Sequence, residues 1–266
     1  MPRSRILVIA LASALVLVGT ACAAGFVILG GLERIGWLST AWSGEDAGED
    51  AAAAPADWAP PAAVPMAATA GSGYGDGITA RVDADWVAVQ SGRTGIPERV
   101  LAAYAGAALA KQGELPSCGL SWSTLAGVGW VESRHASYDG NALDERGTAQ
   151  PGIFGVALAG DGTAHIPDSD GGRIDGDADY DRAVGPMQMI PEAWRNWGTD
   201  GSGDGRADPQ NIDDAVLSAA NYLCRSGEDL SGERGWRVAI ASYNSADSYA
   251  GLVAEAGTGY GDAAGR

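Results

Sequence analysis

The chain has 266 residues and carries 34 acidic against 17 basic side chains, a formal charge of -17. That balance excludes the basic face a nucleic-acid binder needs, and acidity by itself says little about fold. With two histidines, three cysteines and no H-E-x-x-H, paired-cysteine, G-x-x-x-x-G-K-[ST] or G-x-S-x-G motif, zinc hydrolysis, a phosphate cradle and an esterase elbow are excluded as well.

Arg3 and Arg5 precede an apolar run from Ile6 to Leu32, broken only by small or weakly polar residues. About 20 apolar residues span a bilayer, and a signal-peptide core is shorter, ~7–15 residues. Residues 1–38 therefore read as a cytoplasmic tip and an uncleaved single-pass anchor, with the arginines on the inside. The competing readings are a cleaved signal and a lipid on Cys22, although Gly19 stands where a lipoprotein site usually has leucine. Residues 39–90, rich in Ala, Pro, Gly and acid, read as a largely disordered linker, since they offer too few large apolar residues for a core. Residues 91–266 are long enough for one domain with a sizeable core, placed outside the cytoplasm.

In that domain the elements are helical. Pro97 to Lys111 carries a stripe of Leu101, Tyr104, Ala105 and Ala108. Ser121 caps a second helix, on which Leu125, Val128 and Glu132 fall at i, i+3 and i+7. Glu132 thus points inward from an apolar face, where low dielectric raises a carboxyl's pKa and suits it to donate a proton; the competing reading is a helix-end glutamate in solvent. Glu132 to His135 also spells E-x-x-H, half of a di-iron motif whose other half is missing. Gly140 to Asp181 is a long irregular segment, with a hairpin expected around Ile153 to Ala159 and aspartates 168, 170, 175, 177 and 179 as a compositional cation candidate. Pro191 opens a short helix with Trp194 and Trp197. Ile212 to Cys224 keeps a helical stripe throughout. Trp236 to Tyr243 and Ser245 to Ala256 complete a mainly α domain with a loop-built cleft.

Cys118 and Cys224 are the cysteines outside the anchor. In an oxidising exterior they form a disulfide, the alternative being two buried thiols. Asp200-Gly-Ser202-Gly-Asp204-Gly-Arg206-Ala-Asp208 matches the first part of a calcium loop: oxygen side chains at positions 1, 3, 5 and 9, Gly at 6, and the Arg206 carbonyl at 7. Asn211 stands at position 12, where a bidentate glutamate is expected. A structural Ca2+ is the expected ligand, and an Asp-Gly turn cluster the alternative.

Three segments, Leu125 to His135, Arg182 to Pro191 and Ala239 to Asn244, together resemble the signature segments of lytic murein transglycosylases. The membrane-bound B type is the nearest in pattern, and the resemblance runs from about Ile96 to Tyr260. It implies a lysozyme-like fold and cleavage of the MurNAc–GlcNAc bond of peptidoglycan. It also implies one glutamate, Glu132, acting as acid and then as base toward the sugar's 6-hydroxyl, so that a 1,6-anhydro end forms without water. Gln188, Tyr243 and Asn244 are the implied glycan contacts, and the chemistry requires no cofactor. The rivals are a hydrolytic muramidase and a catalytically silent wall-binding or scaffolding module.

Overall fold

A computed structural model describes residues 58–160, 162–225 and 227–265. The expected anchor (6–32) and the first part of the expected linker lie outside them. Among the described residues, no helix is long and apolar enough to cross a membrane.

Seven α-helices carry the described fold: α1 (Ala84–Thr94), α2 (Glu98–Glu114), α3 (Trp122–Ser133), α4 (Pro191–Trp197), α5 (Ile212–Cys224), α6 (Glu233–Tyr243) and α7 (Tyr249–Ala264). α3 packs chiefly along α7, and α2 along α5. Their shared core holds Leu101, Tyr104, Trp122, Leu125, Ile212, Leu223, Trp236 and Ile240. Arg99 on α2 grips Asp213 at the start of α5 through two hydrogen bonds of 2.6 and 2.7 Å, a forked geometry that fixes the two helices in register.

α3 departs from the striped helix expected. Every residue from Trp122 to Gly129 is buried, as in a helix that is apolar all round and enclosed by its neighbours. Its glycines permit that enclosure: a Cβ at Gly127 would lie 2.6 Å from Val253 O, and one at Gly129 would collide with the Tyr104 hydroxyl. α5 has the expected limits, whereas α7 continues to Ala264.

The linker expected over 39–90 is corrected for residues 58–90, which fold onto the domain. Ala59 and Ala62 are buried in the main core. The Ala62 N–H donates to Ser121 Oγ at 3.1 Å and Trp122 Nε1 donates to Ala63 O at 3.1 Å. Small residues suit this contact because they let the strap lie close against α3 and α7; the Ala59 side chain is 2.9 Å from where a Cβ on Gly257 would be. α1 follows, opened by Asp83 accepting the Trp86 N–H and closed by Gly95 in the left-handed conformation. The hairpin expected around Ile153 to Ala159 is met only at its end, where Ala159 bridges His165 antiparallel and Ile166 N–H donates to Leu158 O. That segment runs antiparallel to 181–185, with Gly155 N–H on Ala183 O and Leu158 N–H on Asp181 O, while the two-residue strands are β1 (Ala142–Leu143) and β2 (Ala149–Gln150).

Candidate active site

Glu132 occupies the last turn of α3. Ser121 caps the other end, its Oγ accepting from Ser123 N–H. Glu132 Oε1 accepts a 2.5 Å hydrogen bond from the Tyr249 hydroxyl on α7. Burial pushes the carboxyl up to about 8, against a smaller downward pull from the Tyr249 hydrogen bond. The group is therefore mostly protonated at neutral pH. With Oε1 accepting from Tyr249, Oε2 is the oxygen suited to carry the proton.

The chain leaves α3 through a left-handed turn. Arg134, His135 and Ala136 have φ of 53, 59 and 61°, and none is glycine. Such a conformation costs L-residues about 1–2 kcal/mol each. Several contacts hold it. Arg134 N–H donates to Trp130 O and His135 N–H to Gly129 O, at 3.0 and 3.1 Å. The Arg134 guanidinium lies 4.3 Å from the centre of the Trp130 ring. Ser133 Oγ accepts the Ala136 N–H at 2.9 Å. The His135 ring is sandwiched between two phenols, 3.0 Å from the Tyr104 hydroxyl and 2.8 Å from that of Tyr260. Burial lowers its pKa to about 3, with a smaller contribution from Arg134, so the imidazole is neutral.

Gln188 sits on a tight turn between Val184 and Met189, which exchange both backbone hydrogen bonds. Gly185 makes this turn possible: its φ is 73°, and a side chain there would run into Pro209 O. Gln188 itself is left-handed at φ 47° and donates from Nε2 to Gly185 O at 3.0 Å. Two groups from the helices hold the turn's backbone. Ser133 Oγ donates to Pro186 O at 2.7 Å, and the Tyr243 hydroxyl donates to Met187 O at 2.6 Å. The residue next to Glu132 thus fixes the position of Gln188.

The three expected substrate residues meet Glu132 around one narrow pocket of about 30 Å³. Glu132, Gln188, Tyr243 and Asn244 line it, with Leu158, Ala183 and Ile190 as the apolar wall. Among the described residues no second carboxyl lines the pocket. Tyr243 and Asn244 are both more internal than glycan contacts need be. Tyr243 stacks on Tyr249 with ring centres 6.5 Å apart, and Asn244 Oδ1 accepts the Ala246 N–H. Sequence reasoning missed Tyr249, Ser133 and the role of His135. Tyr249 carried one signal, as the aromatic that opens a helix rich in small residues; the other two carried none.

Cys118 and Cys224 are joined in a disulfide. In the 200–208 loop, the carboxylates turn onto the loop's own amides. Asp200 accepts from Gly203 and Gly205 N–H at 2.6 and 2.8 Å, Asp204 from Arg206 N–H, and Asp208 from Gln210 N–H. The Ser202 hydroxyl donates to Asp200, while buried Asp214 collects the amides of Gly201, Ser202 and Asp208. Among the described residues no three His, Cys, Asp or Glu side chains gather as metal ligands would. The aspartates from 168 to 181 behave alike. Asp168 accepts from the amides of 170, 171 and 172, and Asp177 pairs with Arg182 at 2.8 Å.

A family model described as "Transglycosylase SLT domain" matches residues 176–238. The matched stretch takes in the Gln188 turn, α4, the 200–208 loop and α5, and it ends before Tyr243. Glu132 lies outside it. No curated protein and no solved structure matches the chain. The transglycosylase match therefore covers a minority of the chain and contributes Ala183, Gln188 and Ile190 to the pocket lining.

Proposed function

We propose that this protein is a lytic transglycosylase that cleaves the MurNAc–GlcNAc β-1,4 bond of peptidoglycan without water. The observation that carries the reading is a pocket lined, among the described residues, by one carboxyl, lifted in pKa by burial, together with Gln188 from a turn inside a transglycosylase match. Ordinary glycosidases need two carboxyls, ~5–5.5 Å apart when retaining and ~6.5–9.5 Å when inverting. A single one suffices if the second nucleophile belongs to the substrate.

The chemistry follows from the state of Glu132. Protonated at neutral pH, it gives its proton to the glycosidic oxygen as the C1–O bond breaks. The carboxylate left behind is poorly solvated, and the Tyr249 hydrogen bond favours that charged form. It then takes the proton of the sugar's 6-hydroxyl, whose oxygen bonds to C1 and closes the 1,6-anhydro ring. The proton returns to Glu132 and no water is consumed. An intramolecular hydroxyl also gains from proximity. Gln188 offers the glycan both a donor and an acceptor, Asn244 a further amide, and the Tyr243 ring a wall.

The proposed setting is the outer face of the cell membrane, with residues 6–32 as the tether and peptidoglycan strands as the partner. A structural Ca2+ in the 200–208 loop is a separate proposal, resting on the spacing of Asp200, Ser202, Asp204 and Asp208 alone. No catalytic step uses it. A calcium-specific rise in Tm, absent with magnesium, tests it.

Digestion of purified peptidoglycan in heavy-oxygen water tests the main reading. Unlabelled anhydro-muropeptides are expected. Labelled reducing ends as the main product would make the protein a muramidase, and intact glycan would make it a silent wall-binding module.

A further inference from the structure

We infer that His135 is a positioning residue for Glu132, acting through its two phenol partners to hold the left-handed turn at the end of α3 and to lock α3 against α2 and α7. The inference rests on the reading of Glu132 as the catalytic group.

His135 is three residues beyond Glu132, is 6% exposed and is not among the residues that line the pocket. Both of its ring nitrogens are engaged, one by Tyr104 of α2 and one by Tyr260 of α7. Whichever tautomer is present, a neutral ring donates through one nitrogen and accepts through the other, which suits two hydroxyls. The Tyr104 hydroxyl sits over Gly129, one turn before Glu132, with no room for a side chain between them. Tyr260 belongs to the helix whose first residue, Tyr249, donates to Glu132. α3 is therefore tied to α7 twice, through Glu132–Tyr249 and through His135–Tyr260. The first tie meets the reacting group, and the second sets where the two helices stand.

The turn needs such support. Three consecutive non-glycine residues in the left-handed region persist only where their surroundings over-determine them. Releasing His135 frees the end of α3, lets water reach Glu132 and moves its pKa down toward the ordinary range. The titratable groups facing Glu132 are Tyr249 from α7 and Tyr243 from α6, both raised by burial and neutral. Those facing His135 are Tyr104 and Tyr260, with Arg134 adjacent in the chain.

His135→Gly separates backbone from side chain, because glycine accepts the left-handed conformation without strain. If relief of strain were all that mattered, this variant would cut as well as the wild type. The expected result is kcat lower by about tenfold or more with KM little changed. The alkaline limb of the kcat profile should move down by about one pH unit. His135→Gln, which keeps one donor and one acceptor, restores part of both. Tyr260→Phe keeps the ring packing and serves if His135→Gly fails to fold; its limb should move the same way. Carbon-13 NMR titration of the Glu132 carboxyl supplies a readout independent of turnover. A midpoint unmoved in both His135→Gly and Tyr260→Phe, or in whichever of them folds, overturns the inference. If the wild type cuts no glycan, the functional reading fails while the titration still decides the role of His135.

Discussion

The Tyr249 hydroxyl donates to Glu132 Oε1 at 2.5 Å across 117 residues of sequence. Two opposed effects meet in this contact. Burial holds the proton on Glu132, and the phenol eases its departure. A group that acts first as acid and then as base needs both.

Glu132→Gln should abolish cleavage and stabilise the domain. The carboxyl titrates near its ordinary 4.5 in the unfolded chain and near 8 in the fold. Between those values the unfolded state binds fewer protons, so wild-type stability falls as pH rises. Glutamine does not titrate. Its advantage should open above pH 4.5 and level off near pH 8. The slope is at most about 1.4 kcal/mol per pH unit, and less in practice because Glu132 is partly exposed. Urea melts of both proteins at several pH values, beside an assay on cell walls, check both halves. A folded variant that still cuts removes Glu132 from the mechanism.

Tyr249→Phe keeps the ring and removes the donor. The Glu132 pKa should rise further, moving the alkaline limb of the kcat profile upward, opposite to the His135 variants. Loss of orientation and of support for the carboxylate should lower kcat by about tenfold to a hundredfold. A profile identical to wild type would mean that the phenol only fills space.

Gly185→Ala tests the Gln188 turn. The left-handed φ alone costs a non-glycine residue about 1–2 kcal/mol, and the new methyl meets the Pro209 carbonyl. The turn must shift and take Gln188 with it. Activity should fall more than stability, seen as a larger loss of kcat/KM than the change in Tm explains.

The Cys118–Cys224 bond closes a separation of 106 residues. A loop of that size is worth ~5 kcal/mol in the chain-entropy model, with measured values often nearer 2–4. The double variant Cys118→Ala/Cys224→Ala should therefore melt at a lower temperature, and reductant should bring the wild type down to match it. Cleavage should persist at low temperature, since neither cysteine lines the pocket. An unchanged melting temperature would contradict the disulfide's structural role.

The features legible in the sequence are local ones. The limits of α5, the Ser121 cap, the helix ending near Glu132 and the turn at Gly185-Pro186 follow from periodicity, capping and glycine, all written within a few residues of one another. α1 was equally legible in Asp83, Val87 and Gly95, but the surrounding Ala-Pro-Gly composition concealed it. The remaining features depend on packing between helices. Glu132 is half-buried at the end of a helix enclosed on all sides from Trp122 to Gly129, rather than set on one apolar face. The left-handed turn at 134–136 exists because Tyr104, Tyr260 and Ser133 hold it, and no local pattern favours three such residues in a row. Tyr249 and His135 act through partners 117 and 125 residues away. Contacts at that distance leave no period or motif in the chain, since they depend on how the helices stack once the core closes.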